Sequence, residues 1–538
     1  MGKWLGISRL TENDFLDFFP RGKIKFPINY QTRFPMTAQR LVKIRESLSP
    51  AEKRFERRRH TAGLYLGPLA ALILLLYPMP QLTSAAHRLA GIIGWIVIWW
   101  ITEPIPIPMS ALLGAVLCVL FGIAPARQVF APFADPTIYL FLGSFILAEG
   151  MAVHGLHKRF AWSLMSLPWV GSSPARILLV YGGVSAAISM WISNTATAAM
   201  MLPIGLGIIS ASGGGEQLNR FSTGLLLMVA YASSTGGIGT PVGTPPNLIG
   251  LAMLEKFAGI KISFFQWMLF ALPLLVVMYA MLYCILYLMH RPDHPQESLP
   301  KTIALQQNQV PFSRGERNAL IAFLVTVLLW ILPGLATLIG GPASALAKIL
   351  NDRLPEAAAA LIGASLLFIL PINWPQRHFT LSWKQAAHID WGTLVLFGGG
   401  IALGQLMFET KLAESIGTGL LNWSGASSTW SVTLAAIYIA ILVSETTSNT
   451  ASANMVVPVM ISLCLSAQIN PIPPALGATL GASWGFMLPV STPPNAIVYG
   501  SGLVPITKMI RAGILFDLLG GAIIWLGLRI LLPLIGLA

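Results

Sequence analysis

The sequence predicts an all-α polytopic membrane protein built from two inverted-topology repeats, and three observations predict it. Of its 538 residues, 55% are hydrophobic and only 10% charged, with a mean hydropathy of +0.69, a balance outside the range of soluble domains. Apolar runs of about 17–25 residues, the length that crosses a bilayer core, recur from residue 64 to residue 537. Three short motifs also occur twice, in the same order, on either side of a polar stretch at 290–318.

The first 60 residues are of another kind. They hold fourteen Lys/Arg against six Asp/Glu and end in "KRFERRRH", with no apolar core like that of a cleavable signal peptide. Positive charge flanking a first span keeps that end in the cytoplasm, so the chain is expected in the cell membrane with a cytoplasmic N-terminus. The basic cluster at 53–59 reads as topogenic, lipid-facing charge rather than a nucleic-acid site, since no aromatic or motif context supports the latter. Cys118, Cys284 and Cys464 lie far apart in apolar runs and form neither metal spacing nor a disulfide framework. His154 and His157 have helical spacing but no third ligand nearby. Nothing pairs a nucleophile with a base or cradles phosphate, which argues against an enzyme.

These features divide the chain into a basic segment (1–60), a first membrane repeat with a preceding span (61–290), a cytoplasmic loop (291–316) and a second repeat (317–538). "LFLG" at 140–143 answers "LFGG" at 396–399; Ser193-Asn194-Thr195 answers Ser448-Asn449-Thr450; Thr244-Pro245-Pro246-Asn247 answers Thr492-Pro493-Pro494-Asn495. The apolar segment at about 175–210 is too long for one span and is interrupted midway by Ser-Asn-Thr, which predicts a re-entrant hairpin with the polar triplet at its tip. The segment at about 429–466 repeats this length and interruption and predicts a second. The stretches 221–250 and 473–502 each fit one span broken by Gly and Pro, and lipid tolerates the freed backbone groups only where they line a cavity. About eleven spans result: four before the first hairpin, two after it, three before the second and two after that. An odd number of spans per repeat inverts the second copy. Lys/Arg clusters fit this arrangement as a tendency, with Lys256, Lys261, Lys348 and Arg353 on the opposite side.

A hairpin tip meeting a broken helix gathers hydroxyls, amides, open carbonyls and helix N-termini. Helix N-termini hold a carboxylate, and freed carbonyls and hydroxyls supply the oxygen shell of sodium. Neither tip contains Lys or Arg, so a bound anion would rest on neutral donors and nearby sodium. A lone Ser-Asn-Thr is most simply a span whose small polar side chains bond their own backbone or a neighbouring helix. Its duplication beside a duplicated Thr-Pro-Pro-Asn argues for a site instead. Glu103, Glu149, Glu409 and Glu445 lie in or at the ends of spans; Glu445, three residues before Ser448, reads as stabilising the hairpin ahead of relaying a proton.

At these residues the sequence resembles the divalent anion/sodium symporter family, the sodium-coupled dicarboxylate and citrate carriers, over roughly residues 60–538. The resemblance implies an elevator-type homodimer with a scaffold domain, a moving transport domain and two sodium sites. Carried onto matching positions, it implies sodium ligands Ser189, Ser193, Asn194 and Gly243 in the first site and Ser444, Ser448, Asn449 and Ser491 in the second. It likewise implies carboxylate contacts from Asn194, Thr195 and Thr244 and from Asn449, Thr450 and Thr492, with Pro245 and Pro493 shaping the pocket. Thr as the third residue of both triplets resembles carboxylate rather than sulfate carriers. The long basic N-terminus departs from compact bacterial members.

The leading expectation is therefore sodium-coupled symport of C4-dicarboxylates such as succinate, malate or fumarate, with sodium, the anion and the lipid bilayer as partners. The alternatives are a sodium-independent dicarboxylate exchanger of the same fold, an intramembrane enzyme using a triplet serine, for which no general base is evident, and a channel. The inverted topology has a direct check. With the native cysteines replaced, Pro174→Cys should label with an impermeant thiol reagent from the cytoplasm and Ser428→Cys from outside; labelling of both from one face would contradict it.

Overall fold

The computed structural model describes residues 50–170, 173–211, 220–291, 311–341, 343–424 and 428–537. Of the basic segment expected at 1–60, residues 1–49 lie outside the described residues, as does most of the loop expected at 291–316. The first half runs through α1 (Pro50–Leu76), α2 (Ser84–Thr102), α3 (Ile107–Leu120), α4 (Ala126–Phe130), α5 (Pro136–Val153), α6 (Leu156–Met165), α7 (Pro174–Ser189), α8 (Asn194–Ala211), α9 (Arg220–Gly236), α10 (Pro245–Ala258) and α11 (Phe264–Met289). The second comprises α12 (Arg314–Gly340), α13 (Ala345–Arg353), α14 (Glu356–Ile369), α15 (Trp383–Ala386), α16 (Trp391–Glu409), α17 (Leu412–Ser424), α18 (Thr429–Thr446), α19 (Asn449–Ser466), α20 (Ile472–Ala482), α21 (Pro493–Tyr499) and α22 (Ile506–Leu534).

Ten helices among the described residues are long and apolar enough to cross a membrane, judged by length and composition. The chain is an integral membrane protein on that ground. Two of the ten, α18 and α19, are the arms expected of the second hairpin; the arms of the first, α7 and α8, are shorter apolar helices. Both segments break where the polar triplets stand, so each expected hairpin appears as helix, short turn, helix. The expected broken spans are broken too: α9 passes through a 3-10 turn at Gly237–Gly239 to α10, and α20 gives way to α21. Beyond the sequence reading lie the short helices α4, α6, α13, α15 and α17, of which α6 and α17 each lead into a hairpin segment, and a two-stranded antiparallel pairing of Pro371–Asn373 with His378–Phe379.

Side chains fix where the long helices start. Ser263 and Gln266 form a reciprocal cap on α11, and Ser313 and Glu316 do so on α12, satisfying N–H groups that a helix start leaves open. Arg159 on α6 holds Glu316 with two hydrogen bonds, 2.8 and 3.1 Å, tying that short helix to the start of α12.

The duplicated glycines perform matching tasks in packing. A Cβ on Gly143 of "LFLG" would lie 2.7 Å from the backbone of Ala360, so α5 lies directly on α14; one on Gly399 of "LFGG" would lie 2.7 Å from Ala111, so α16 lies on α3. Close approach through small residues is how apolar helices gain contact without a hydrophobic driving force between them. The two halves also interlock reciprocally. The second arm of the first segment, α8, packs on α21, and the second arm of the later segment, α19, packs on α10.

Gly143→Ala should cost about 1–3 kcal/mol, because the added methyl meets backbone that cannot rotate away. Gly207→Ala, with nothing within 4 Å, should be neutral or stabilise by up to about 1 kcal/mol. Thermal unfolding of the two purified variants checks this, and equal midpoints would contradict the packing account.

Candidate functional site

Each polar triplet lies at the start of a helix. In the first, Ser193 accepts the Ala196 N–H at 3.2 Å and Asn194 begins α8; in the second, Ser448 accepts the Ala451 N–H at 3.2 Å and Asn449 begins α19. A matching cross-turn contact closes both: the Ser189 hydroxyl donates to Asn194 Oδ1 at 2.7 Å, and the Ser444 hydroxyl shares its one proton between the Ala482 carbonyl at 2.7 Å and Asn449 Oδ1 at 2.9 Å. The last turn of one arm is thereby tied to the first residue of the next. Each carboxamide oxygen thus has a partner at a helix start, where free N–H groups favour negative charge.

The broken helices meet these turns. Thr240 donates from its hydroxyl to the Met190 carbonyl, bringing the first break onto the first turn. A Cβ at Gly237 would lie 2.6 Å from Asn194 Oδ1 and 3.1 Å from Thr244 Cβ, so glycine is what lets Asn194, Thr244 and the break converge. Gly243 sits against the Gly237 and Met190 carbonyls. In the second half the Ser491 hydroxyl donates to Glu445 Oε2 at 2.6 Å, and the Met487 N–H donates to Glu445 Oε1 at 2.8 Å. Glu445 thus pins the second break to the second turn with its carboxylate, where the first half uses the backbone carbonyl of the matching Met190.

Beyond the breaks, Pro245 and Pro493 occupy the first turns of α10 and α21, where a missing N–H costs nothing. Thr244 and Thr492 are buried, and the Thr492 hydroxyl accepts the Asn495 N–H. Thr195 is exposed and Thr450 half-buried, both in the first turn of their helices. Of the expected positions, Ser189, Ser193, Asn194, Gly243 and Thr244 lie at the first turn and break, and Ser444, Ser448, Asn449, Ser491 and Thr492 at the second; among the described residues no hydrogen bond ties Thr195 or Thr450 into either cluster. Among the described residues no hydrogen bond joins the two turns; the clusters are linked by the reciprocal helix packing.

The residues that brace the breaks went unnoticed in the sequence. Asn247 Nδ2 donates to the Gly237 and Thr240 carbonyls at 2.9 and 2.8 Å, and Asn495 Nδ2 donates to the Phe486 and Leu488 carbonyls at 3.3 and 3.1 Å. One carboxamide thus satisfies two carbonyls released by the missing turn. The signal was present, since both asparagines end the duplicated Thr-Pro-Pro-Asn. Their Oδ1 atoms, with the hydroxyls of Thr235 and Ser483, are buried without a hydrogen-bond partner among the described residues. Thr235 and Ser483 stand at matching distances before the two motifs. Such an excess of buried oxygen acceptors and absence of Lys or Arg suits a hard monovalent cation.

Two broken helices braced against two polar turns, inside a bundle of membrane-length helices, define a transport protein rather than an enzyme. The comparisons agree. Residues 59–535 match the family model described as the sodium:sulfate symporter transmembrane region, and the chain belongs to that family. It is 34% identical over 487 residues, 88% of this chain and 91% of the other, to the sodium-dependent dicarboxylate transporter SdcS of Staphylococcus saprophyticus, and equally so to SdcS of Staphylococcus aureus. Among solved structures it is similar to the Alcanivorax borkumensis YdaH transporter, described as having an unusual topology. That likeness has a TM-score of 0.51 at 14% identity over 89% of this chain and 97% of the other, and it concerns the fold alone.

Proposed function

We propose that the protein is a sodium-coupled symporter that carries C4-dicarboxylates of the succinate, malate and fumarate class into the cell. The observation that carries the proposal is the pair of matching clusters, in which a Ser-to-Asn bond fixes a helix start against a broken helix rich in unpartnered oxygens. The names of the SdcS relatives support dicarboxylate over sulfate, as does threonine in third place in both triplets. In this reading Ser189, Ser193, Asn194 and Gly243 hold one sodium, and Ser444, Ser448, Asn449 and Ser491 hold another. Asn194, Thr195 and Thr244 meet one end of the substrate, Asn449, Thr450 and Thr492 the other, and Pro245 and Pro493 limit its length.

Coupling follows from the sharing of residues. Asn194 and Asn449 each have the carboxamide oxygen bonded at the turn, so in this reading sodium on that oxygen orders the amide that the carboxylate needs. With no Lys or Arg in either cluster, the charge that offsets a dicarboxylate comes from helix starts and from sodium itself. The two repeats are taken as inverted, the dimer as the working unit and an elevator displacement of the cluster-bearing helices as the transport step. The cytoplasmic N-terminus and the plasma membrane are part of the same proposal.

Purified protein in liposomes without internal substrate should accumulate succinate when an inward sodium gradient is imposed, and should not with choline. Uptake that requires internal dicarboxylate and ignores sodium would establish the exchanger instead. Thr195→Ala and Thr450→Ala each remove a hydroxyl donor to a carboxylate, worth about 1.5–3 kcal/mol. Apparent succinate affinity should fall roughly ten- to hundred-fold at fixed sodium, and unchanged affinity in both would exclude these threonines from the site.

A further inference from the structure

Behind the second cluster two carboxyl groups meet inside the helix bundle. Glu445 near the end of α18 is 2% exposed and Asp517 in α22 is 4% exposed. Glu445 accepts a hydrogen bond at each oxygen, from Ser491 and Met487. The Asp517 carboxyl faces Glu445 and the backbone at Phe486, yet among the described residues neither of its oxygens has a well-formed hydrogen bond. Gly513, one turn earlier on α22, lets the helix descend onto Phe486 and Met487, where a Cβ would lie 2.5 Å from the Phe486 carbonyl. From α9 the Tyr231 hydroxyl, within the electrostatic reach of both carboxyls, lies 2.8 Å from the Phe486 carbonyl and 3.0 Å from the Met509 carbonyl. It has one proton for two acceptors, so its own lone pairs are unspent. Among the described residues no Lys, Arg or His forms an ion pair with either carboxylate.

Two carboxyl groups side by side in a low-dielectric interior cannot both stay ionised unless a cation lies between them; otherwise they share a proton. Among the described residues no basic side chain supplies that charge. We propose that a sodium ion binds between Asp517 and Glu445, at a site additional to the two clusters, with both Asp517 oxygens, a Glu445 oxygen and the Tyr231 oxygen as ligands. A hard monovalent cation takes such an all-oxygen shell. A proton in its place satisfies a single oxygen and leaves the second Asp517 oxygen and the Tyr231 lone pairs unused. Because Glu445 also grips Ser491 and adjoins Ser444, the ion would be felt directly at the second cluster. This inference rests on the sodium-symport reading above.

The test is equilibrium binding of radioactive sodium to the purified full-length chain at fixed pH, with proton uptake followed in parallel. Asp517→Asn keeps the shape and removes the charge, and should bind one sodium fewer per chain than the native protein. Tyr231→Phe, a milder change, should retain the count but weaken one sodium several-fold; it decides the matter if Asp517→Asn fails to fold. Native count and affinity in the variants, or a loss of one bound proton with the sodium count intact, overturns the inference while leaving symport in place. A native protein that binds no sodium overturns the symport reading itself, and this site with it.

Discussion

Breaking a helix inside an apolar bundle releases N–H and C=O groups that water cannot reach, and each must be met from within the protein. This chain does so with a few short side chains. The amide groups of Asn247 and Asn495 each close two released carbonyls, and Ser193 and Ser448 cap the helices that restart after the turns. The bonds from Ser189 to Asn194 and from Ser444 to Asn449 hold arm to arm. With the geometry secured by these donors, several buried oxygens are left without a partner among the described residues, and in the proposed reading they are the chemistry of the site.

Packing carries the same logic outward. Since α8 lies on α21 and α19 on α10, neither cluster belongs to one half of the chain: each is walled by a helix from the other. Tyr231 extends the arrangement by reaching from the first half to the carbonyls of Phe486 and Met509 in the second. A shift in one cluster therefore presses on helices that frame the other. In the proposed symport cycle this shared framing is what lets an ion bound at one place alter the fit of an anion at another.

Much of this was legible in the sequence, for physical reasons that can be named. The breaks at 190–193 and 447–448 follow from Ser-Asn-Thr, a helix-capping sequence, set midway in apolar runs too long for one span. The starts of α10 and α21 follow from proline at the first helical position. Residues that act through tertiary approach were not legible. Asp517 lies in an otherwise ordinary apolar helix, and only the descent of α22 at Gly513 brings it to Glu445. The short helix α6 was hidden because its tether, Arg159 to Glu316, joins residues far apart in the chain. Tyr231 resembles any buried aromatic until its hydroxyl is seen against Phe486.

The central claim is that ordering of the two turns by sodium creates the carboxylate site, so that ion and anion bind as one thermodynamic unit. Its most direct measurement is succinate binding to the purified protein over a range of sodium concentrations, together with sodium binding over a range of succinate concentrations. The account predicts that each ligand tightens the other by the same factor, as reciprocal linkage requires. Succinate affinity that does not change with sodium would contradict it.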